Sequence, residues 1–161
     1  MKIIIMSDSH RHNENIETVL NAVKPIDFLI HCGDAEGSEY FIGEMAGCPM
    51  EIVTGNNDFF SSLPREREFE LQKYKIWLTH GHYYNVSIGP ERIMEEAQAK
   101  GVDIVMFGHT HKPIIKKSGG VIAVNPGSIS YPRQEGRKPS YIIMEIDEKG
   151  ELHFTINFLN K

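Results

Sequence analysis

The sequence predicts an α/β protein in which two mixed β-sheets pack face to face and helices flank them on the outside, a four-layer α/β/β/α arrangement. Two patterns indicate this fold class. In the first two thirds, short and wholly apolar runs alternate with amphipathic segments, as in βαβ units whose strands are buried on both faces. From residue 104 onward only strand patterns follow, so sheets must bury the second half.

Length and composition fit this class. The 161 residues are most simply one domain, residues 1–161, large enough to bury a core. A hydrophobic content of 40% and a charged content of 24% are ordinary for a globular protein. The formal net charge of -5 argues against general nucleic-acid binding, which needs a basic surface, but it is compatible with a local site made positive by metal ions.

The first half is predicted to alternate three strands with two helices. The strands are short apolar runs: Lys2–Met6, Phe28–His31 and Met50–Thr54. After the first strand, a helix begins near Asn13 and is stopped by Pro25, because its apolar residues recur every three or four positions. A second helix is expected over Glu36–Ala46, with three larger apolar side chains on one side: Tyr40, Phe41 and Met45.

The second half begins with a hairpin and a helix and then continues in strands. Glu66–Leu71 and Lys75–Thr79 are joined by a short polar turn. Pro90–Lys100 is a predicted helix with Gly101 just past its end. The later strands are Ile104–Phe107, Ile114–Lys117, Val121–Val124, Tyr141–Ile146 and Leu152–Leu159, and a polar turn at 147–150 closes the last hairpin.

Residue types that bind metals follow five of the predicted strands. They are four histidines, two aspartates and one asparagine: Asp8, His10, Asp34, Asn56, His80, His109 and His111. Open α/β sheets bind ligands beyond the carboxyl ends of their strands, so we expect these side chains to gather at one edge. Seven ligands are too many for one ion and suit two. Carboxylates with imidazoles favour Mn, Fe or Zn, and the absence of thiolate partners argues against a closed structural zinc site.

Local spacing suggests how the ligands pair. Side chains at positions i and i+2 of an extended segment project to the same side, so Asp8 should meet an ion together with His10. The same spacing relates His109 to His111. A glycine precedes three of the ligands and is expected to let the backbone turn sharply at the sheet edge: Gly33, Gly55 and Gly108.

Simpler interpretations remain for single residues. Any one of the four histidines is more simply a hydrogen-bonded residue at a strand end, although this is improbable for all four together. Asp34 and Asp8 could instead cap the helical turns that follow them. Asp58 is expected to brace its loop, and His31 to be structural.

The two cysteines and the hydropathy point to a cytoplasmic protein. Cys32 and Cys48 lie in a chain without a recognisable secretion signal, so we expect reduced thiols. Cys32 could be a ligand, but packing in the core is favoured. No segment approaches the roughly 18 consecutive apolar residues of a membrane span.

Taken together, the motifs resemble the calcineurin-like metallophosphoesterases. Five motifs stand in the family's order: Asp8-Ser9-His10, Gly33-Asp34, Gly55-Asn56-Asn57-Asp58, the lone His80 and Gly108-His109-Thr110-His111. Three further segments look like the small bacterial and archaeal phosphodiesterase branch: residues 31–34 (HCGD), residues 80–86 (HGHYYNV) and residues 125–128 (NPGS) with Pro132-Arg133. The resemblance covers about residues 1 to 141.

The resemblance implies a binuclear centre and a reaction. One ion would be held by Asp8, His10 and His111, the other by Asn56, His80 and His109, with Asp34 bridging both. The implied mechanism is two-metal hydrolysis of a phosphate ester, with a bridging hydroxide as nucleophile and with Asp34, Asn56 and His80 in catalytic roles. The metals are most simply Mn, with Fe, Zn or Ni as alternatives.

Four residues are candidates for substrate contacts: Asn57, His82, Arg133 and Arg11. Many relatives carry a histidine, thought to protonate the leaving group, where this chain has Asn57, so esters with poor leaving groups should react slowly. Arg133 either contacts a substrate phosphate or forms a loop salt bridge, and Arg11 is a weaker phosphate candidate. His82 is either a contact near the substrate or a solvent-exposed side chain.

Three functional classes stay open. The first is a metal-dependent phosphodiesterase or phosphatase for small phosphate esters, and the complete ligand set favours it. The second is a non-catalytic binding or scaffold module on the same fold. The third is a metal-bound sensor that binds a nucleotide without cleaving it. A membrane partner is not expected, and a homo-oligomer is left open.

Overall fold

A computed structural model describes residues 1–160 of the chain. The first sheet contains five strands: β1 (Lys2–Met6), β2 (Phe28–His31), β3 (Met50–Ile52), β9 (Ser140–Ile146) and β10 (Leu152–Phe158). Its strand order is β10-β9-β1-β2-β3, with β1, β2 and β3 parallel. The predicted limits of a single domain, residues 1–161, stay a prediction, and Lys161 lies outside the described residues.

The second sheet also has five strands: β4 (Glu66–Leu71), β5 (Tyr74–Thr79), β6 (Ile104–Met106), β7 (Pro113–Ser118) and β8 (Val121–Pro126). Its order is β4-β5-β6-β8-β7, and β5, β6 and β8 are parallel. Three helices accompany the sheets: α1 (Glu14–Val23), α2 (Glu39–Ala46) and α3 (Glu91–Lys100). A short 3-10 helix spans His82–Tyr84.

The core consists of three apolar layers, which explains why the strands read as continuous apolar runs. Alternate residues of β1 point to opposite faces, so Ile3 and Ile5 pack between the sheets, whereas Ile4 and Met6 pack under α1 and α2. α3 covers the outer face of the second sheet, where Trp77 is fully buried. The predicted four-layer arrangement is therefore confirmed.

The second helix differs from its prediction. It begins at Glu39 rather than Glu36, because Glu36 and Gly37 adopt left-handed backbone conformations with φ of 54° and 84°. Its packed side is formed by residues four positions apart, Ile42 and Ala46. Two of the three side chains expected to share a side, Tyr40 and Phe41, are exposed, and Met45 is partly buried.

The fold brings the ends of five strands together. The loops after β1, β2 and β3 of the first sheet and after β5 and β6 of the second meet at one edge, where backbone hydrogen bonds join them. Asp8 N donates to the Gly33 carbonyl at 3.0 Å, His10 N to the Asp34 carbonyl at 2.9 Å, and Gly108 N to the His80 carbonyl at 3.0 Å. Within residues 1–160, no helix has the length and apolar character needed to cross a bilayer.

Candidate metal centre

The edge where these loops meet gathers all seven predicted ligands. We call this set the cage: Asp8, His10, Asp34, Asn56, His80, His109 and His111. The cage joins the two sheets, since His109 N donates to Asp8 Oδ2 at 3.1 Å. Most of its side chains are buried or half-buried, while Asn56 is exposed.

The backbone reaches the cage differently from the prediction. The extended i, i+2 arrangement is wrong, because five ligands lie in the left-handed region with φ between 46° and 68°: Asp8, His10, Asp34, His109 and His111. Such conformations are unfavourable for residues other than glycine, and they concentrate at functional sites. Tightly turned loops, rather than strand extensions, aim these side chains inward.

The three glycines have two different roles. Gly33 has a φ of 104°, as expected for a sharp turn. Gly55 and Gly108 lie outside the left-handed region, so they do not make the predicted kind of turn. They are needed for close approach, because a Cβ at Gly55 would collide with the Asp34 carboxylate and a Cβ at Gly108 with the Ser7 hydroxyl.

Three histidine rings are oriented by oxygen atoms outside the cage. In each, Nδ1 lies 2.6–2.8 Å from an oxygen that can only accept a hydrogen bond: Glu36 Oε1 for His10, the Cys32 carbonyl for His80 and the Tyr131 carbonyl for His111. Nδ1 therefore carries the ring proton. In the neutral ring, Nε2 is then left with a lone pair, and this is the form that binds metals.

The Nε2 atoms of two of these rings lie close to carboxylate oxygens. His111 Nε2 lies 3.1 Å from Asp8 Oδ1, and His80 Nε2 lies 3.4 Å from Asp34 Oδ2. Asp8 Oδ1 is buried and receives no hydrogen bond within residues 1–160. An ionised carboxylate oxygen in that position is costly unless a positive charge neutralises it. The donor set therefore fits a cation.

A second group of possible metal-binding atoms lies beside Asp8 and His111. Asn56 Oδ1 is 3.0 Å from both His80 Nε2 and His109 Nδ1. Asp34 reaches the histidines of both predicted ion sites, because its Oδ2 is 3.8 Å from His10 Nε2 and 3.4 Å from His80 Nε2. This geometry is compatible with two ions that share Asp34.

When no cation is bound, the carboxylates of the cage favour the protonated form of His80. Burial lowers the pKa of His80, but the hydrogen bond to Asp34 and the charges of Asp8 and Asp34 outweigh burial and raise that pKa to about 9. Burial would raise the pKa of both aspartates, yet their histidine neighbours hold both pKa values below the usual range. A proton on His80 thus supplies part of the positive charge that the cage attracts.

Asp34 is held by the loop that follows β3. The Asn57 backbone N donates to Asp34 Oδ1 and Asn57 Nδ2 to Asp34 Oδ2, both at 2.8 Å. The Asp58 carboxylate accepts hydrogen bonds from the backbone amides of Asp34, Glu36 and Gly55, so the predicted bracing role of Asp58 is confirmed.

The geometry decides between the simpler interpretations of four single residues: Asp8, Asp34, Cys32 and His31. Neither Asp8 nor Asp34 caps a helix, because α1 and α2 begin after Asn13 and Ser38. Cys32 packs between the sheets, which confirms the packing interpretation. His31 is buried, lies 3.0 Å from Ser9 Oγ, and its pKa is lowered by burial to about 4. The structural role predicted for His31 is confirmed.

A cavity of about 860 Å³ opens in front of the cage. Arg133 and Asn57 line it, and Arg133 forms no salt bridge within residues 1–160; a contact of either residue with substrate stays a prediction. Arg11 does not reach this cavity; its Nε donates to the Glu36 carbonyl at 2.7 Å. His82 does not line this cavity, and its ring centroid lies 5.5 Å from that of His80. Burial, together with the charges of His80 and His109, lowers its pKa.

Sequence reasoning missed several residues of the site. Glu36 and Tyr131 orient histidine rings, and Arg137 lines the cavity together with Arg133. Arg137 stands four positions after Arg133 in the same loop, but a basic residue in an exposed loop carries no signal of its own. The Tyr131 contact is made by its carbonyl oxygen, which the residue type cannot reveal.

Comparison with known proteins agrees with this architecture. The family model described as calcineurin-like phosphoesterase superfamily domain matches residues 1–149. The probable metallophosphoesterase YsnB of Bacillus subtilis is 33% identical over 148 residues, covering 91% of this chain and 85% of the relative. A phosphodiesterase of Methanocaldococcus jannaschii is 31% identical over 146 residues, covering 79% of this chain and 83% of the relative.

Solved structures show the same fold. A predicted phosphoesterase from Streptococcus pneumoniae TIGR4 aligns with a TM-score of 0.81 and 34% identity, covering 98% of this chain and 88% of that chain. Vps29 of Entamoeba histolytica, in complex with zinc, aligns with a TM-score of 0.76, covering 99% of this chain and all of its own. Its identity is 21%, so this likeness concerns the fold alone.

Proposed function

The chain belongs to the calcineurin-like phosphoesterase superfamily, and from this premise we propose that it is a metal-dependent phosphodiesterase that hydrolyses small phosphate esters at a binuclear centre. The observation that carries the proposal is the convergence of four histidines, two aspartates and one asparagine at the ends of five strands. Histidine rings held through Nδ1 turn Nε2 toward the aspartates, and within residues 1–160 the buried Asp8 Oδ1 accepts no hydrogen bond. Such a set suits divalent cations, which bind these rings once Nε2 is deprotonated.

The ligands divide into two groups. Asp8, His10 and His111 would hold one ion, and Asn56, His80 and His109 the other, with Asp34 shared. When bound, two such ions supply a hydroxide at neutral pH and stabilise the charge that develops on the phosphoryl oxygens. Manganese is the proposed metal, because mixed carboxylate, amide and imidazole ligands suit it; Fe, Zn and Ni are the alternatives.

The remaining residues position groups and bind the anion. Asn57 holds both oxygens of Asp34 by hydrogen bonds and so fixes the shared carboxylate. Arg133 and Arg137 line the cavity beside the cage, where their guanidinium groups can form paired hydrogen bonds to phosphate oxygens. Since an amide cannot donate a proton as a general acid near pH 7, Asn57 should not assist a poor leaving group.

The test is hydrolysis of bis-p-nitrophenyl phosphate by manganese-loaded protein. Loss of a residue that only supports a metal ligand typically lowers metal affinity or activity 10- to 100-fold. Asp34→Asn changes the proposed shared ligand itself, so it should lower kcat/KM by at least ~100-fold. Asp147→Asn is the matched control, because Asp147 belongs to the distant β9–β10 turn. Alkyl phosphate monoesters should react more slowly than the activated diester.

Either of two results would contradict the proposal. One is wild-type protein that shows no metal-dependent hydrolysis, which would favour the scaffold or sensor alternatives. The other is an Asp34→Asn variant as active as wild type. The cytoplasmic location and the oligomeric state stay predictions.

A further inference from the structure

A second cavity, of about 400 Å³, lies beside the cage and has aromatic and cationic walls. We call it the aromatic groove, and four of its lining residues define it: Phe60, Arg65, His82 and Tyr83. Asn56 lines both the aromatic groove and the larger cavity that contains Arg133. A ligand whose phosphate lies at the cage therefore has the aromatic groove next to it.

Two aromatic rings of the groove, Phe60 and Tyr83, are exposed to solvent. Phe60 is fully exposed, with a relative accessibility of 107%, and Tyr83 is 55% exposed. Phe60 also has a φ of 59°, an unfavourable conformation for a bulky residue. Large aromatic side chains stabilise a protein when their surface is buried, so two exposed rings beside a cavity offer surface to a bound ligand.

The wall around Tyr83 is already ordered. The Tyr83 ring centroid lies 4.1 Å from that of His82 at an interplanar angle of 39°, and the Arg65 guanidinium lies 5.6 Å from the Tyr83 ring centroid. His82 also packs near His109, with ring centroids 6.0 Å apart, so the groove and the cage share one packed unit. On the Tyr83 side of the groove a planar ligand would therefore meet side chains that are already packed, which favours binding.

We propose that the aromatic groove stacks the nucleobase of the substrate, so that the esters bound at the cage are nucleotide esters. The proposal rests on the function proposed above. Bases stack on aromatic rings and on the planes of arginine side chains, both of which this groove supplies. A nucleotide places a planar base one sugar away from a phosphate, and this matches two adjoining cavities of different chemistry. An aliphatic chain would gain nothing from the guanidinium plane.

The test compares two inhibitors that share a sugar phosphate and differ only in the base. Inhibition constants of AMP and of ribose 5-phosphate are measured for manganese-loaded protein hydrolysing bis-p-nitrophenyl phosphate. Stacking of one base is worth ~1–3 kcal/mol, so AMP should bind wild type about 5- to 150-fold more tightly than ribose 5-phosphate.

Substitutions in the aromatic groove test whether the base of AMP binds there. Phe60→Ala and Tyr83→Ala should each weaken AMP by about fivefold or more and leave ribose 5-phosphate unchanged. Tyr40→Ala is the matched control, because Tyr40 is a 79% exposed aromatic residue on α2 outside the groove. It should change neither constant.

Equal inhibition of wild type by the two compounds would overturn the proposal, as would variants that weaken both compounds by the same factor. If wild-type protein hydrolyses nothing, the proposed function has failed separately. The groove is then tested by calorimetry with the same two compounds, and the same affinity ratio decides.

Discussion

The histidine rings of the cage are set by single oxygen atoms behind them, and Glu36 shows how much one residue can matter. Glu36 Oε1 lies 2.6 Å from His10 Nδ1, whereas His80 and His111 use backbone carbonyls for the same purpose. Glu36 is therefore the one side chain in this role that substitution can remove without moving the backbone. Glu36 would affect a bound metal only through His10.

Glu36→Ala should lower manganese affinity by about 10- to 100-fold, the usual cost of losing a residue that orients a metal ligand. Glu36→Gln retains an amide oxygen as acceptor and should lose less. Calorimetric titration of the metal-free protein measures both. Glu44→Ala on the exposed side of α2 is the control. If the Glu36→Ala variant bound manganese as tightly as wild type, the role assigned to Glu36 would be contradicted.

Residue types and their order were sufficient to predict which seven side chains the fold brings together, but not the contacts around them. Asp and His after apolar strands can be recognised from sequence, because few other residue types bind metals. The Tyr131 carbonyl cannot be recognised in this way, since every residue has a carbonyl. The left-handed conformations of Asp8 and His109 were also missed, because the backbone amides of both residues bond to loops far apart in sequence.

At the scale of elements, the apolar strand runs were predicted closely because the central strands of each sheet are buried on both faces. β1 and β2 match their predicted limits, and β9 differs by one residue. The start of α2 could not be predicted, because Glu36 N is bound by the Asp58 carboxylate from a loop 22 residues away. That contact holds residues 36–38 outside the helix.

The loop elements of the cage depend on close backbone approach, which Gly55→Ala would prevent. A Cβ at this position would also lie 2.7 Å from Asp34 N, so the loop after β3 would have to move away from Asp34. We expect the free energy of unfolding to fall by ~1–3 kcal/mol, as for other overpacked sites, and metal binding to weaken. Chemical denaturation and metal titration measure the two effects.

Gly43→Ala in α2 is the matched control, since its Cβ would meet only Met50 Cε at 3.4 Å. Alanine has the higher helix propensity, so this variant should be neutral or more stable by up to ~1 kcal/mol. A Gly55→Ala variant as stable as Gly43→Ala would show that the contact between Gly55 and Asp34 is unimportant.

At the scale of the whole molecule, metal binding should be linked to pH. The pKa of His80 is raised to about 9 in the metal-free protein, so His80 carries a proton at pH 7 that the metal must displace. Affinity should therefore rise as pH increases from 6 to 9, by up to about tenfold per pH unit for each proton released. Calorimetry in buffers with different ionisation enthalpies counts those protons.

The same titration of a His153→Gln variant is the control, because His153 is exposed and pairs with Asp147 far from the cage. Its proton release should equal that of wild type. Binding heats that do not depend on the buffer would contradict the assignment of a displaced proton to the cage.

The central claim is that the fold gathers the ends of five strands, drawn from both sheets, into one binuclear cage. Anomalous scattering from crystals grown with manganese tests it most directly. The account predicts two strong peaks, one among Asp8, His10 and His111 and one among Asn56, His80 and His109, with Asp34 in contact with both. A single weak peak, or none within reach of these side chains, would contradict it.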